Sequence, residues 1–181
     1  MSWLQSIITR FKNALAAAPQ HAVAMPCYQS IVAAARQVRF YDNPAGGMAV
    51  PDTPQGRFEM MIIHAWLVID RLAAEQPEFT QELFDLMFAD FDTNLRELGV
   101  GDLGVGHRVK GWAAAFYGRA AAYKSALRDE GMLADALGRN IFAGKKVESI
   151  LLLAFYVRTA HEILARMAPE EVMAGRIKWP E

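Results

Sequence analysis

The stretch MMIIHAWLVI, residues 60–69, is apolar at every position except His64. As a helix, it would present apolar side chains in all directions around its axis, because each turn takes 3.6 residues. A helix of that kind belongs at the centre of a fold or against a partner. Thr53 and Pro54 precede it as an N-cap and a first helical residue, so a central helix is predicted from Thr53-Pro54 to about Glu75.

The other segments between turn signals carry apolar residues at helical spacing, and no segment alternates convincingly with a period of two residues. These patterns predict an all-α fold, a single compact bundle of about seven helices with long central helices. The further predicted helices span about Ser2–Ala18, Pro26–Phe40, Glu78–Leu98, Gly106–Glu130, Leu133–Phe142 and Val147–Met167, and the tail GRIKWPE is predicted to be irregular.

The predicted helix at 106–130 carries small residues on one face, opposite an apolar stripe that includes Trp112, Phe116 and Tyr123. Small side chains allow another backbone to approach closely, so this helix is predicted to be sandwiched between neighbours. The small residues of that face are Gly111, Ala114, Gly118, Ala121 and Ala122.

Composition and charge indicate a folded protein without electrostatic attraction to nucleic acid. The chain has 181 residues, of which 53% are hydrophobic, enough for one domain with a packed core. Its net charge of -1 argues against nucleic acid as a partner. The longest apolar run, Ile150–Val157, is far shorter than the roughly 20 residues of a membrane-spanning helix, so a soluble protein is predicted. Cys27 is the only cysteine, which excludes an intramolecular disulfide.

The N-terminal segment, residues 1–20, is predicted to be an amphipathic helix that contacts a membrane surface or a partner, while residues 21–181 form the helical domain. No acidic residue precedes Asp42, so the segment can approach an anionic lipid surface. The alternative is that its apolar stripe packs against its own domain. It lacks the layout of a secretory signal and only loosely resembles an organellar transit peptide. The residues expected to contact the membrane are Trp3, Leu4, Ile7, Ile8, Arg10, Phe11 and Lys12.

Gly99, Gly101 and Gly104 reproduce the Gly-x-Gly-x-x-Gly spacing of a dinucleotide-binding loop. That motif needs a strand before its first glycine, and here the preceding residues have helical spacing. No Gly-Lys-Ser/Thr is present, which also excludes a P-loop. The glycines are therefore interpreted as a helix stop at Gly99, followed by a tight turn into the next helix.

No metal or cofactor site is predicted. His21, His64, His107 and His161 lie at no spacing typical of a zinc site. The stretch DFDTNL, residues 90–95, resembles the start of a calcium loop but lacks the glycine and the later glutamate that such a loop needs. His64, in an apolar helix, is interpreted as a hydrogen-bonded core residue.

Arg119 lies near the edge of the apolar stripe of the longest predicted helix. A buried guanidinium needs a carboxylate. Asp90 and Asp92 flank the apolar stripe of the preceding helix, and an antiparallel hairpin would bring one of them near Arg119. This polar tie is interpreted as structural. The alternative is an enzyme in which Asp90, Asp92, His64 and Arg119 converge in a cleft.

Four stretches of the chain form a specific pattern. They are PDTPQGRFEMMIIHAWLVIDRL (51–72), FADFDTNLRELGVGDLGVGHRVK (88–110), FYGRAAAY (116–123) and ALGRNIF (136–142). In this order and with compatible gaps, they closely resemble the ubiquinol–cytochrome c chaperone family. The resemblance covers residues 28–142 and, more weakly, the last long helix. It implies a helical assembly factor for ubiquinol–cytochrome c reductase, respiratory complex III, with no enzymatic activity.

The mitochondrial members of this family pair with a small partner, associate with the ribosome and hold newly made cytochrome b. The resemblance therefore implies cytochrome b or another complex III component as a partner, and a small partner subunit as a further one. The motif residues that carry over are Asp52, Gly56, Arg57, His64, Arg71, Asp90, Asp92, Leu95, Arg96, Glu97, Gly99, Val100, Gly101, Asp102, Gly118, Arg119, Tyr123, Arg139 and Asn140.

The chain departs from the mitochondrial members because it lacks their long N-terminal extension. This predicts a bacterial, cytoplasmic form, peripheral on the inner membrane, with the matrix side as the corresponding place in a eukaryote. No strong basic face for a ribosome is evident, and the best small patch is Lys145 and Lys146 with Arg139.

Several features other than the resemblance favour a protein that binds a hydrophobic client. Several helices are apolar nearly all round, more than one small domain should need to bury. Nine methionines, among them Met60, Met61 and Met87, would provide an adaptable apolar surface. The alternative hypothesis is an architectural helical subunit of a hetero-oligomer with no client.

Overall fold

The computed structural model describes residues 23–41, 47–97, 102–144 and 147–181, and only the backbone of residues 94–97 and 102–110. These residues form seven α-helices, one 3-10 helix and no strand, so the predicted all-α fold is confirmed. The predicted helix at Ser2–Ala18 lies outside the described residues. The helices are α1 (Met25–Ala35), the 3-10 helix (Val38–Phe40), α2 (Pro54–Leu72), α3 (Pro77–Glu97), α4 (Asp102–Ala126), α5 (Glu130–Ile141), α6 (Ile150–Arg166) and α7 (Pro169–Met173).

Helix α2 lies at the centre of the bundle, as its apolar sequence predicts. It contacts α1, α3, α4, α5 and α6, and every residue from Phe58 to Val68 is buried. The hydroxyl of Thr53 accepts a hydrogen bond from the backbone N–H of Gly56 at 3.2 Å, which caps the helix N-terminus. Because α2 is surrounded by neighbours, its side chains meet residues from most of the fold.

The stretch predicted as one helix at Pro26–Phe40 is instead divided. Helix α1 ends at Ala35, Gln37 is extended, and the chain re-enters a 3-10 turn at Val38. The hydroxyl of Tyr41 donates to the carbonyl oxygen of Ala35 at 2.5 Å. This bond joins residues only six positions apart and satisfies a carbonyl that a longer helix would have paired internally, which favours the earlier end.

Two other helices begin earlier than predicted. Helix α4 begins at Asp102 instead of Gly106, which places Gly104 inside the helix, and an acidic residue in a first turn is favoured by the helix dipole. Helix α5 begins at Glu130 instead of Leu133, because Oδ1 of Asp129 accepts from the backbone N–H of Met132 at 2.9 Å.

A further helix follows the last predicted one. Residues Pro169–Met173 form α7, with the proline in the first turn, where its missing N–H is not needed. At the other end of α6, residues 147–149 form a turn, so that helix begins at Ile150 and not at Val147.

The predicted sandwiching of α4 is wrong for its small-residue face. Gly111, Ala114, Gly118 and Ala121 are exposed. A Cβ atom added at Gly111 or Gly118 would meet no atom within 4 Å in the described part of the chain. The helix instead packs through the apolar stripe with buried Phe116 and Tyr123.

The C-terminal tail is irregular, as predicted, yet it is fixed to the bundle. The indole N–H of Trp179 donates to the hydroxyl of Ser30 at 3.2 Å, and its ring lies 4.9 Å from that of His64. Arg39 donates to the backbone carbonyl of Pro180. The tail therefore covers one side of the α1–α2 contact.

None of the described helices is both long and apolar enough to cross a membrane.

Candidate functional site

Arg119 pairs with Glu59 of α2, so the predicted pairing with Asp90 or Asp92 is wrong. Nε of Arg119 lies 2.5 Å from Oε2 of Glu59, and Nη2 lies 2.5 Å from Oε1. The Glu59 side chain is fully buried, and that of Arg119 is 18% exposed. The rotation of α4 in the bundle aims Arg119 at the central helix instead of at α3. The requirement for a carboxylate partner was correct, but the partner was not.

The Glu59–Arg119 pair is satisfied on both sides. Nε2 of Gln55 also donates to Oε1 of Glu59 at 2.6 Å, and Nη1 of Arg119 donates to the carbonyl of Ala115 at 3.3 Å. Burial by itself lowers the pKa of Arg119, but the hydrogen bonds from its guanidinium to Glu59 raise it above its usual value. The pair therefore links α2 and α4 by charge-assisted hydrogen bonds.

Asp90 belongs to a different contact. The hydroxyl of Tyr28, on α1, donates to Oδ2 of Asp90 at 2.7 Å. Burial raises the pKa of Tyr28 well above its ordinary value, and the hydrogen bond to Asp90 raises it further. Asp92, also on α3, is buried. Neither carboxylate pairs with Arg119, whose guanidinium binds Glu59 and the carbonyl of Ala115.

His64 is a buried core residue, as the sequence interpretation proposed. Nδ1 lies 2.7 Å from the carbonyl oxygen of Met60, so it carries the proton, because a carbonyl can only accept. Nε2 then accepts from the hydroxyl of Tyr156 at 2.8 Å. Burial lowers the pKa of His64 to about 4, since the cation would lose its hydration. The imidazole is neutral at physiological pH.

The cleft of the enzyme hypothesis is not formed. His64 is enclosed by rings of Phe40, Tyr156 and Trp179, while Arg119 is held by Glu59. The cavity that Asp90 lines includes neither His64 nor Arg119. The residues that would have to act on one substrate are therefore separated.

The motif residues at the two ends of α2 have structural contacts. Nε of Arg57 lies 2.7 Å from Oδ1 of Asp52, an exposed pair at the helix start. A Cβ at Gly56 would lie 2.0 Å from the carbonyl oxygen of Pro51, so this position accepts only glycine without movement.

Arg71, near the end of α2, binds the C-terminal end of α6. It donates to the carbonyl oxygens of Leu164 at 3.0 Å and Met167 at 2.9 Å, and it pairs with Glu75 at 2.6 Å. A guanidinium there satisfies carbonyls that the helix leaves without partners and complements the helix dipole.

The remaining motif residues belong to α4 and α5. Nδ2 of Asn140 donates to the hydroxyl of buried Tyr123 at 3.2 Å, whereas Gly118 and Arg139 are exposed. Several residues singled out in the sequence lie outside the described part of the chain. They are the loop glycines Gly99 and Gly101, the segment from Trp3 to Lys12, Lys145 and Lys146, and the side chains of Arg96, Glu97 and Asp102.

A cavity of about 680 Å³ lies where the four helices α1, α2, α3 and α4 meet, and it is here called the α1–α4 cavity. Phe58, Phe91 and Trp112 form one wall, with ring centroids 5.0–5.5 Å apart. Polar groups on its lining are Tyr28, Arg36, Tyr41, Gln55, Arg57 and Asp90. Two of the motif residues, Arg57 and Asp90, are thus brought together here.

A second feature is the α6 apolar surface, which consists of Leu151, Leu152 and Phe155. These side chains are 53%, 58% and 63% exposed, although the neighbouring Leu153 and Ala154 are fully buried. Arg158 of α6 pairs with Glu130 of α5 at 3.1 Å, and Gly138 packs against Ile150, so the two helices are antiparallel. This register places Met132, 56% exposed, near the level of Phe155 on the adjacent helix.

Within the described ranges, no cluster of histidine, cysteine and carboxylate side chains could hold a metal ion. Sequence reasoning missed Glu59 and Tyr156 as contact-forming residues, and Arg36 as a residue of the cavity lining. For Glu59 a signal existed, because a carboxylate next to the apolar stretch of residues 60–69, within the same helix, is buried with that stretch and needs a cation. Tyr156 and Arg36 carry no comparable signal.

Comparisons with known proteins agree with this fold. The profile of the ubiquinol–cytochrome c chaperone family matches residues 47–179. Protein CBP3, mitochondrial, of Saccharomyces cerevisiae is 26% identical over 150 residues, which are 77% of this chain and 44% of that protein, so this chain spans less than half of that relative. The crystal structure of the Cbp3 homolog from Brucella abortus has a TM-score of 0.78 and 38% identity, covering 98% of this chain and 96% of that chain. The family match spans well over half of the sequence, and this chain belongs to the ubiquinol–cytochrome c chaperone family.

Proposed function

We propose that this protein is a non-enzymatic chaperone that binds cytochrome b, or another component of ubiquinol–cytochrome c reductase, while the complex is assembled. Family membership over residues 47–179 supports a role as an assembly chaperone. The likeness to the Cbp3 homolog of Brucella, over nearly the whole length of both chains, supports the same role.

The observation that carries the proposal is the α6 apolar surface. An exposed contiguous group of large apolar side chains is typical of an interaction site. Phe155 follows Leu151 by four residues and Leu152 by three, so the three side chains lie on one face of α6. Each leaves more than half of its surface in water. A membrane subunit that is not yet inserted exposes apolar segments too, and contact between the two surfaces removes both from water.

The separation of the hypothetical catalytic residues favours binding over catalysis. His64 is neutral and enclosed, Arg119 is occupied by Glu59, and Asp90 accepts from Tyr28. Each group has a structural partner on another helix or in the core.

The N-terminal segment, residues 1–20, is proposed to contact the cytoplasmic side of the inner membrane, or the matrix side in a mitochondrion. The sequence has no acidic residue there and carries Arg10 and Lys12 beside an apolar stripe. Deletion of Ser2 to Ala18 should lower co-sedimentation with anionic vesicles while helical content persists. Unchanged sedimentation would contradict the membrane contact.

The test of function uses a strain that lacks the protein and is complemented by variants. Loss of the protein should deplete assembled complex III while its transcripts persist, and normal complex III would overturn the proposal. The double variant Leu151→Ser/Phe155→Ser should fold normally, because both side chains are exposed, yet should restore less complex III and co-purify less cytochrome b. Val38→Ser, which alters a residue 70% exposed on the 3-10 helix, is the matched control.

Mass spectrometry of proteins that co-purify with the tagged wild type identifies the partners, including any small partner subunit. Cytochrome b that is retained by wild type and by Val38→Ser, but not by the double variant, would support the proposed binding surface. A single stoichiometric partner that stays bound in mature complexes would instead indicate an architectural subunit.

A further inference from the structure

The α1–α4 cavity has the size and composition of a small-molecule site. Its volume of about 680 Å³ lies within the range of roughly 300–1,000 Å³ that ligand pockets occupy. Such sites combine an apolar lining with a few polar groups that orient the ligand. Here the apolar part is the wall of Phe58, Phe91 and Trp112, together with Val32 and Met61.

The charged groups of the cavity are not equally occupied. Arg57 pairs with Asp52, and Asp90 accepts from Tyr28. Arg36 is exposed, and within the ranges that the structure describes its guanidinium has no hydrogen-bond or ion-pair partner, although its backbone N–H donates to the carbonyl oxygen of Val32. It is therefore a cation on the cavity lining whose donors are available to a ligand.

Arg36 shares the cavity lining with two phenols, those of Tyr28 and Tyr41. Burial raises the pKa of Tyr28 and of Tyr41, and the positive charge of Arg36 opposes this rise for each of them. The guanidinium therefore acts electrostatically on both hydroxyl-bearing rings of the lining. An acceptor group held there would be offered a charged donor.

We propose that the α1–α4 cavity binds an amphiphile whose apolar body lies against the Phe58–Phe91–Trp112 wall and whose carboxylate or phosphate head pairs with Arg36. This site goes beyond the proposed chaperone function and does not depend on it. A cationic ligand fits less well, because Asp90 already accepts from Tyr28 and the wall rings pack against one another instead of surrounding a central space.

The test measures binding of decanoate and of decanol to the full chain. Both have the same apolar body, and only decanoate carries the anionic head. Quenching of tryptophan fluorescence by bromine-labelled decanoate reports occupancy, and unlabelled decanoate and decanol compete for it. Trp112→Phe should remove most of the quenching without removing binding, because Trp112 lines the cavity.

Arg36→Gln should weaken decanoate binding by about tenfold or more, since a hydrogen bond to a charged group is lost, and decanol binding by less than about twofold. Arg166→Gln, an exposed arginine at the end of α6, is the matched control and should change neither. Val32→Phe should weaken both ligands by filling space at the α1 wall. Should Val32→Phe fail to fold, the Arg36→Gln comparison still decides, because Arg36 is exposed.

Equal losses of decanoate binding in Arg36→Gln and Arg166→Gln would overturn the proposal. Quenching that persists in Trp112→Phe would also overturn it, and so would decanoate that binds no tighter than decanol. Decyl phosphate and phosphatidylglycerol vesicles with brominated chains distinguish the source of the head group. Quenching by monomeric amphiphiles alone indicates a free acid or phosphate, and quenching by vesicles indicates a membrane lipid. Quenching of either kind should depend on Arg36. If none of these probes binds, the proposed site is wrong.

Discussion

Glu59, in the second turn of α2, and Arg119, in the C-terminal third of α4, form a two-point ion pair with both nitrogen–oxygen distances at 2.5 Å. The residues are 60 positions apart in sequence, and the Glu59 carboxylate has no exposed surface. A carboxylate in that position loses its hydration and is stabilised by its partners alone. The pair is thus one of the contacts that join α4 to the central helix.

Arg119→Met is expected to lower the free energy of unfolding by about 3 kcal/mol, because it leaves Glu59 buried without its cation. Urea denaturation followed by circular dichroism measures this change. The double variant Arg119→Met/Glu59→Leu should be more stable than the single variant, since no charge then stays buried. Equal stability of wild type and Arg119→Met would contradict the importance of the pair.

His64 should make the protein less stable in mild acid. Burial lowers its pKa from 6.5 to about 4, so between these values the unfolded chain binds a proton that the folded chain does not. Its contribution is present above pH 6.5 and is lost as the pH falls towards 4. The difference of about 2.5 units corresponds to on the order of 3 kcal/mol.

The measurement compares wild type with His64→Gln in urea titrations at several pH values. The free-energy difference between wild type and variant should shrink by on the order of 3 kcal/mol from pH 7 to pH 4. Carboxylates that titrate in the same range contribute to both proteins and cancel. A difference that stays constant with pH would show that His64 is not the titrating group.

Gly56→Ala is expected to destabilise the protein by about 2 kcal/mol, because its Cβ would lie 2.0 Å from the carbonyl oxygen of Pro51 and the helix start would have to move. Gly118→Ala is the matched control on α4. It meets open space among the described residues and should stabilise the helix by about 0.5–1 kcal/mol. Thermal unfolding of both variants tests the pair, and a loss of stability in Gly118→Ala would contradict an exposed face.

Arg71→Met is expected to cost about 2 kcal/mol, because it removes charged donors from the carbonyls of Leu164 and Met167. Amide hydrogen exchange should increase at the junction of α6 and α7. Glu75→Gln removes only the exposed ion pair and should change stability by less than about 0.5 kcal/mol. If the two variants had equal effects, the ion pair and not the carbonyl contacts would hold the junction.

Helix positions could be predicted because their cause is local. The repeat of apolar residues through MMIIHAWLVI depends only on the geometry of one helix, and α2 lies at the centre as predicted. Helix ends were less predictable. The end of α1 is favoured by a hydrogen bond from Tyr41, and nothing in the sequence shows where that hydroxyl lies.

The face that each helix presents was predicted less well than its extent. The small residues of α4 suggested a close neighbour, but Gly111 and Gly118 are exposed. Small side chains permit a close approach without requiring one. The place of Arg36 on the lining of the α1–α4 cavity was also missed. The residues of that lining come from segments far apart in sequence, so no single segment shows that they meet.

By itself, the sequence determined that the chain is helical, that residues 60–69 are central, that His64 is a core residue, and that Arg119 needs a carboxylate. These properties follow from periodicity, burial and the cost of an unpaired charge. Only the tertiary structure decided that Glu59 is that carboxylate, that Asp90 belongs to Tyr28, and that Leu151, Leu152 and Phe155 remain exposed. The physical reason is that the rotation of each helix about its axis results from packing against all its neighbours at once, and no single helix encodes it.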